Sequence, residues 1–260
     1  MSFLRPLAGT NLCVSALGLG TVKLGRNQQV KYPGAFTLPD DNAVRDLLAL
    51  AHELGINLLD TAPAYGTSEE RIGQLLEHRQ DWVLCTKVGE EFENGASHFN
   101  FSAAHTRFSI ERSLKRLRTD HLDLVLIHSD GNDEAILRDG ACVETLRQCQ
   151  REGLIGHIGM STKTNAGGIL AAELLDVVML TWNLQQRDEA ALQAAVRLGK
   201  GVLVKKGLMS GHVQGGSGDL VRDSMQLIFA EAGIGSMITG TINPAHLRSN
   251  GKTARSILTP

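Results

Sequence analysis

Eight short apolar runs separated by amphipathic segments predict an α/β fold, a closed (β/α)8 TIM barrel with one parallel eight-stranded sheet. The runs are almost continuously apolar, as strands covered on both faces are, rather than alternating as half-exposed strands do. Three of them end on groups capable of acid–base chemistry: Asp60 directly after Ile56–Leu59, Lys87 closing Trp82–Lys87, and His128 closing Leu122–His128. Tyr65 follows Asp60 on the next loop. In a parallel barrel those strand ends share one rim, where barrel enzymes place their chemistry.

The elements follow in order. Asn11–Val14 precede the first barrel strand and are expected in a small hairpin plugging the bottom. Strand 1 is expected at Ser15–Gly20, and the long segment Leu24–Pro39, with Tyr32 and Phe36, follows as a loop. Asp40 or Asp41 can cap a helix over Ala43–Leu54, which Gly55 stops. Strand 2 is Ile56–Leu59, and Thr67 with Glu70 has the spacing of a capping box ahead of Ile72, Leu75 and Leu76. Strand 3, Trp82–Lys87, leads into a second long loop, Gly89–Phe101, carrying Phe92, Phe99 and Phe101. Long aromatic loops on this rim are where a barrel builds a pocket. Ser102 opens a helix whose Ile110, Leu114 and Leu117 share a face. The remaining strands are Leu122–His128, Leu154–Gly159, Val177–Trp182, Gly201–Lys205 and Ser236–Gly240. Helices are expected over Glu134–Glu152, Asn165–Leu174, Asp188–Leu198, Leu220–Ala232 and Pro244–Asn250. No linker divides the chain, so residues 1–260 read as one domain.

Composition narrows the function. An apolar fraction of 42 % suffices for a full core, and a net charge of −2 gives no attraction to nucleic acid or a membrane surface. No apolar run approaches the ~18–20 residues of a membrane span. The first ten residues lack the apolar centre of a secretion signal. Cys13, Cys85, Cys142 and Cys149 show no metal spacing and read as reduced packing residues, a cytoplasmic pattern without a metal site. The glycines Gly18 and Gly20 lack the third glycine and the following helix of a Rossmann loop.

A phenol with an ordinary pKa of ~10 is a poor acid at neutral pH. An ammonium ~4 Å away, at an effective dielectric of ~20, favours the phenolate by roughly 4 kcal/mol. Lys87 can supply that charge to Tyr65, with Asp60 as its counter-ion. A neutral His128 can donate a hydrogen bond to a carbonyl oxygen held against Tyr65. The set suits a reaction that develops negative charge on a carbonyl oxygen and then protonates it, hydride addition to an aldehyde or ketone being the clearest case.

From Ala16 to Asn250 the chain resembles the aldo-keto reductases, in their short bacterial form. The matching pieces are GLGT at Gly18–Thr21, GINLLDTAPAYG at Gly55–Gly66, SEERIG at Ser68–Gly73 and TKVG at Thr86–Gly89. Next come Ser109–Ser129, LIGHIGMS at Leu154–Ser161, WN at Trp182–Asn183 and GTINPAHLRSN at Gly240–Asn250. The resemblance implies that Tyr65 is the general acid, that Lys87 and Asp60 tune it, and that His128 positions a small-molecule carbonyl substrate. It also implies a nicotinamide cofactor across the mouth, NADPH with NADH possible. Gly20, Thr21 and Asp60 would lie near the middle of that cofactor and Ser161 near its carboxamide; Lys205 and Lys206 could contact phosphate. Gly240, Thr241, His246 and Asn250 would approach the adenosine end, where the helix beginning at Pro244 offers free N–H groups.

Three positions depart from the commonest pattern of that family: Met179 replaces a carboxamide-binding Gln, Lys205 an aromatic ring, and His246 an Arg that grips a 2′-phosphate. The chain ends about ten residues past Asn250, so the long C-terminal loop of larger members is absent and an open cleft is expected. Two other functions fit parts of the pattern. One is a Schiff-base aldolase using Lys87 or Lys205. The other is a nucleotide-sensing partner protein of slow turnover, for which the potassium-channel β subunits of the superfamily are the precedent.

Overall fold

The structure is a computed structural model that describes residues 2–211 and 219–258. Strands β1 (Leu4–Pro6) and β2 (Cys13–Ser15) form an antiparallel hairpin. The barrel strands are β3 (Leu17–Gly20), β4 (Leu58–Asp60) and β5 (Val83–Val88). A second hairpin, β6 (Glu90–Glu93) with β7 (Ala96–Phe99), rises from β5. The barrel continues with β8 (Leu122–His128), β9 (Ile155–Ser161) and β10 (Val177–Thr181). It ends with β11 (Gly201–Lys205) and β12 (Ser236–Thr239). These eight strands pair in parallel and close, β12 lying beside β3, as the sequence predicts.

The helices are α1 (Val22–Gly25), α2 (Asp41–Glu53), α3 (Ser68–Leu75), α4 (Ala103–Leu117) and α5 (Asp133–Asp139). They continue with α6 (Ala141–Arg151), α7 (Asn165–Leu174), α8 (Glu189–Arg197), α9 (Leu220–Phe229) and α10 (Pro244–Leu258). Of the two possible caps, Asp40 holds α2, accepting a hydrogen bond from the Ala43 N–H at 2.8 Å. Ser102 caps α4 in the same way. Among the described residues no helix is long and apolar enough to cross a membrane.

Two hydrophobic cores follow from the strand alternation. Leu58, Val83, Cys85, Leu124, Leu126, Val177, Met179 and Leu203 fill the barrel, and Leu7 and Val14 of the first hairpin join them from below. The hairpin therefore is a plug, sealing the end away from the strand C-termini. The larger core lies between strands and helices and includes Leu47, Ile110, Leu146 and Ile228.

Several elements differ from expectation for local reasons. Ser15 belongs to the plug, tied to Asn57 through its N–H (2.7 Å) and its Oγ (3.0 Å), so the chain changes sheet before Leu17. The helix expected over Glu134–Glu152 is two helices, because Gly140 takes φ +76° and turns the chain. The Thr67–Glu70 capping box does not form: Thr67 has φ −85° and ψ 9° instead of an extended backbone, and Glu70 pairs with Arg116 at 3.1 Å. Helix α10 runs through Gly251 to Leu258, because Leu247, Ala254 and Leu258 continue a buried face beyond Asn250. The segment Gly89–Phe101 is a hairpin, not an irregular loop: Asn94 (φ 51°) and Gly95 (φ 78°) make its two-residue turn.

Candidate active site

Strand alternation assembles the site. Val83 and Cys85 of β5, Leu124 and Leu126 of β8 and Leu203 of β11 point into the barrel. At a period of two, the next inward positions on those strands are Lys87, His128 and Lys205, at the C-terminal rim. Asp60 ends β4 and lies opposite Cys85; Ser161 ends β9 and lies opposite His128. Residues spread over 145 positions of sequence, 60 to 205, thus form one layer.

Lys87 is 2 % exposed, and its Nζ lies 2.5 Å from Asp60 Oδ1 and 2.9 Å from the Thr61 carbonyl oxygen. Burial opposes its charge, but Asp60 outweighs burial with help from its neighbours, and the Lys87 pKa is raised. The same ammonium sits 4.8 Å from the centre of the Tyr65 ring. Tyr65 ends a 3-10 turn, Pro63–Tyr65, held against α1 by a backbone contact: a Cβ on Gly66, whose φ is +62°, would meet the Gly25 carbonyl oxygen at 2.2 Å. No side chain fits there, so the two glycines set the height of the phenol.

The acidity of Tyr65 departs from expectation. Burial pushes its pKa up to about 12; Lys87 works against burial, while Asp60 and Glu90 reinforce it. In this state Lys87 limits the rise without reversing it, because Asp60 answers much of its charge. Tyr65 is therefore a protonated phenol at neutral pH.

His128 stands edge-on to Tyr65, ring centres 6.2 Å apart. Its Nδ1 lies 2.9 Å from Glu90 Oε2, an ion-pair distance, with the ring N–H off the line to that oxygen. Glu90 also accepts a hydrogen bond from Ser97 Oγ at 2.6 Å and lies 3.7 Å from the Arg26 guanidinium. Burial disfavours the Glu90 carboxylate, yet His128, Ser97 and Arg26 together lower its pKa to about 2. Arg26 in turn stacks 3.5 Å from the centre of Phe92 and donates to the Ala64 carbonyl oxygen beside Tyr65. Glu90 and Arg26 were not legible as site residues. The Asn94–Gly95 pair, a two-residue hairpin signal, was the clue that Glu90 lies on a built element.

The other expected positions divide into an inner and an outer group. Gly20 and Gly240 lie side by side where β3 and β12 meet, and a Cβ on Gly240 would come within 2.9 Å of the Tyr32 hydroxyl. Thr21 is fully buried, its N–H and hydroxyl both donated to the Asp60 carbonyl oxygen, so it supports the rim from beneath. Lys205 Nζ donates to Ser161 Oγ at 2.9 Å and to the Thr162 carbonyl oxygen, so the serine expected near the carboxamide is already bound to a lysine. Burial first, then the charge of Lys206, lowers the Lys205 pKa to about 7. Lys206 has φ +56° and is exposed. Met179 is buried between Ser161 and Leu203. Thr241 Oγ1 accepts from the Asn243 N–H at 3.1 Å. His246, exposed, and Asn250, half-buried, sit one turn apart at the start of α10.

Lys31, Lys163, Lys205 and Lys206 lie near enough for their charges to repel, and among the described residues none has a carboxylate within ion-pair distance. Asp133 and Asp188 oppose this repulsion without pairing directly, and the cluster suits an anionic ligand.

The comparisons with known proteins agree with this architecture. Residues 16–217 match the Aldo/keto reductase family. A Pseudomonas aeruginosa protein described as an aldo-keto reductase superposes with a TM-score of 0.90 at 51 % identity, over 99 % of this chain and 97 % of that one. An oxidoreductase of Bacillus subtilis is 26 % identical over 97 % of this chain and 91 % of its own length. The NADH-specific methylglyoxal reductase of Escherichia coli is 32 % identical over 59 % of this chain; the match spans 50 % of that protein. The parallel barrel, the polar layer at its C-terminal rim and this match lead to one conclusion: the chain belongs to the aldo/keto reductase family, whose members are oxidoreductases.

Proposed function

We propose that this protein reduces an aldehyde or ketone to an alcohol with a nicotinamide cofactor, NADPH in preference to NADH, and that Tyr65 is its general acid. One observation carries the reading: a buried ammonium, Lys87, is clamped by Asp60 at 2.5 Å and faces the ring of a phenol that itself stands against an imidazole. A purely structural lysine has no need of that arrangement.

The cofactor, when bound, supplies the hydride. Gly20 and Gly240 would lie along it, Lys206 would face its phosphates, and Thr241, His246 and Asn250 its adenosine end. Ser161 with Lys205 would meet the carboxamide. Tyr65, protonated at neutral pH, gives its proton to the carbonyl oxygen as negative charge grows there. Lys87 stabilises the phenolate left behind, and Asp60 holds Lys87 charged. His128, edge-on to Tyr65, faces the same oxygen. The Escherichia coli relative named for NADH specificity, and His246 in place of an arginine, limit that NADPH preference to a modest one.

The decisive experiment follows NADPH and NADH oxidation against aldehydes, ketones and quinones, for the wild type and Tyr65→Phe. Turnover of a demanding carbonyl that survives in Tyr65→Phe removes the phenol from the acid role. One observation favours a second reading: Lys205, with a pKa of about 7, is a usable amine for imine formation. Borohydride trapping of an aldehyde on Lys205 would support that reading.

A further inference from the structure

A neutral imidazole carries one N–H, and the partner of one nitrogen decides what the other offers. Nδ1 of His128 faces the Glu90 carboxylate at 2.9 Å. His128, Ser97 and Arg26 favour the Glu90 carboxylate, which can only accept. The proton of neutral His128 then belongs on Nδ1, and Nε2 is a lone pair. A lone pair repels a carbonyl oxygen and accepts from a hydroxyl.

We infer that Glu90 is a positioning residue that holds His128 in its Nδ1–H tautomer, so that His128 grips a carbonyl oxygen only as the imidazolium and an alcohol hydroxyl only when neutral. This rests on the role proposed above for His128 as the residue facing the substrate oxygen. It replaces the simpler expectation of a neutral donor, and it makes the balance between carbonyl and alcohol binding depend on pH.

The groups around His128 set where that balance turns. Glu90 on β6 raises its pKa; Lys87 on β5 and Lys205 on β11 lower it, and Tyr65 lies against its edge. Arg26 and Ser97 bear on Glu90 in turn. Burial is the largest influence, and the net pKa lies below the ordinary 6.5. Carbonyl binding is therefore strongest below that pKa and weakens as pH rises through it, while alcohol binding strengthens over the same interval.

The test has two arms on the full chain. Imidazole nitrogen NMR of the ligand-free protein, with His128→Asn to assign the signal, reads the tautomer above the titration. The wild type should show the proton on Nδ1, Glu90→Asp should keep it there, and Glu90→Gln should move it wholly or partly to Nε2. A wild-type proton on Nε2 overturns the inference. The second arm measures KM for one aldehyde and its alcohol against pH. In Glu90→Gln the pH limb of the aldehyde KM should move down by roughly 1–3 pH units, the usual effect of losing a nearby opposite charge, or vanish. Coincident profiles for wild type and Glu90→Gln also overturn it. If His128→Asn leaves carbonyl reduction unchanged, the proposed role of His128 fails together with the carbonyl half of this inference. The NMR result still decides the Glu90 half.

Discussion

Replacing Lys87 with methionine separates two jobs that one ammonium performs. The side chain is 2 % exposed and methionine fills nearly the same volume, so packing is largely kept. What is lost is the charge between Asp60 and Tyr65. Asp60, itself 5 % exposed, is left as a buried acid without its cation, and breaking a buried pair on one side costs about 3–5 kcal/mol of stability. For the chemistry, a charge 4.8 Å from the ring centre at an effective dielectric of about 20 favours the phenolate by about 3.5 kcal/mol. That corresponds to roughly 2.5 pKa units, and a kcat loss of up to a few hundred-fold if the whole of it is expressed in the transition state. Urea denaturation measures the first effect, and kcat and KM for one aldehyde measure the second. The double variant Asp60→Asn, Lys87→Met then distinguishes them: removing the stranded acid should restore much of the stability and none of the rate. An unchanged kcat with only KM raised would refute the charge argument. So would a single variant as stable as wild type, which would mean that Asp60 never depended on Lys87.

Three further outcomes are expected. Tyr65→Phe should bind cofactor as wild type does, by fluorescence titration, and reduce a demanding carbonyl at least ~100-fold more slowly. His246→Arg should tighten NADPH by roughly 1–2 kcal/mol and leave NADH unchanged, as a charge-assisted bond to phosphate requires; titration with both cofactors checks it, and equal shifts would displace His246 from that phosphate. Gly66→Ala should cost more than Gly140→Ala in urea denaturation and should also lower kcat. Both glycines have positive φ, but a Cβ at Gly66 strikes the Gly25 backbone at 2.2 Å beside Tyr65, whereas at Gly140 the nearest atom is 3.9 Å away.

The barrel was legible in the sequence because its signals are local. Each buried parallel strand is an apolar run, and each helix carries its own face, as Leu122–His128 and Asn165–Leu174 show with boundaries equal to those predicted. Strand ends were legible for the same reason, so Asp60, Lys87 and His128 could be assigned to one rim before any contact was known. Where a local signal was present but outranked, the boundaries moved: Gly140 inside an apparent helix, and the Asn94–Gly95 turn inside an apparent loop.

The electrostatics belonged to the tertiary structure alone. Whether Lys87 lowers the Tyr65 pKa depends on how dry the phenol is and how much of the ammonium Asp60 already answers, and both are sums over distant neighbours. The Glu90–His128 contact joins residues 38 positions apart, and Arg26 reaches the same carboxylate from 64 positions away. Lys205 takes up Ser161 from a strand 44 positions further on. Periodicity records which face a residue is on; it carries no information about which charged neighbour the closed barrel brings within 3 or 4 Å. The sequence by itself therefore determined the scaffold and the rim, and folding decided the protonation states on that rim, because a pKa is set by everything around a group and not by its place in the chain.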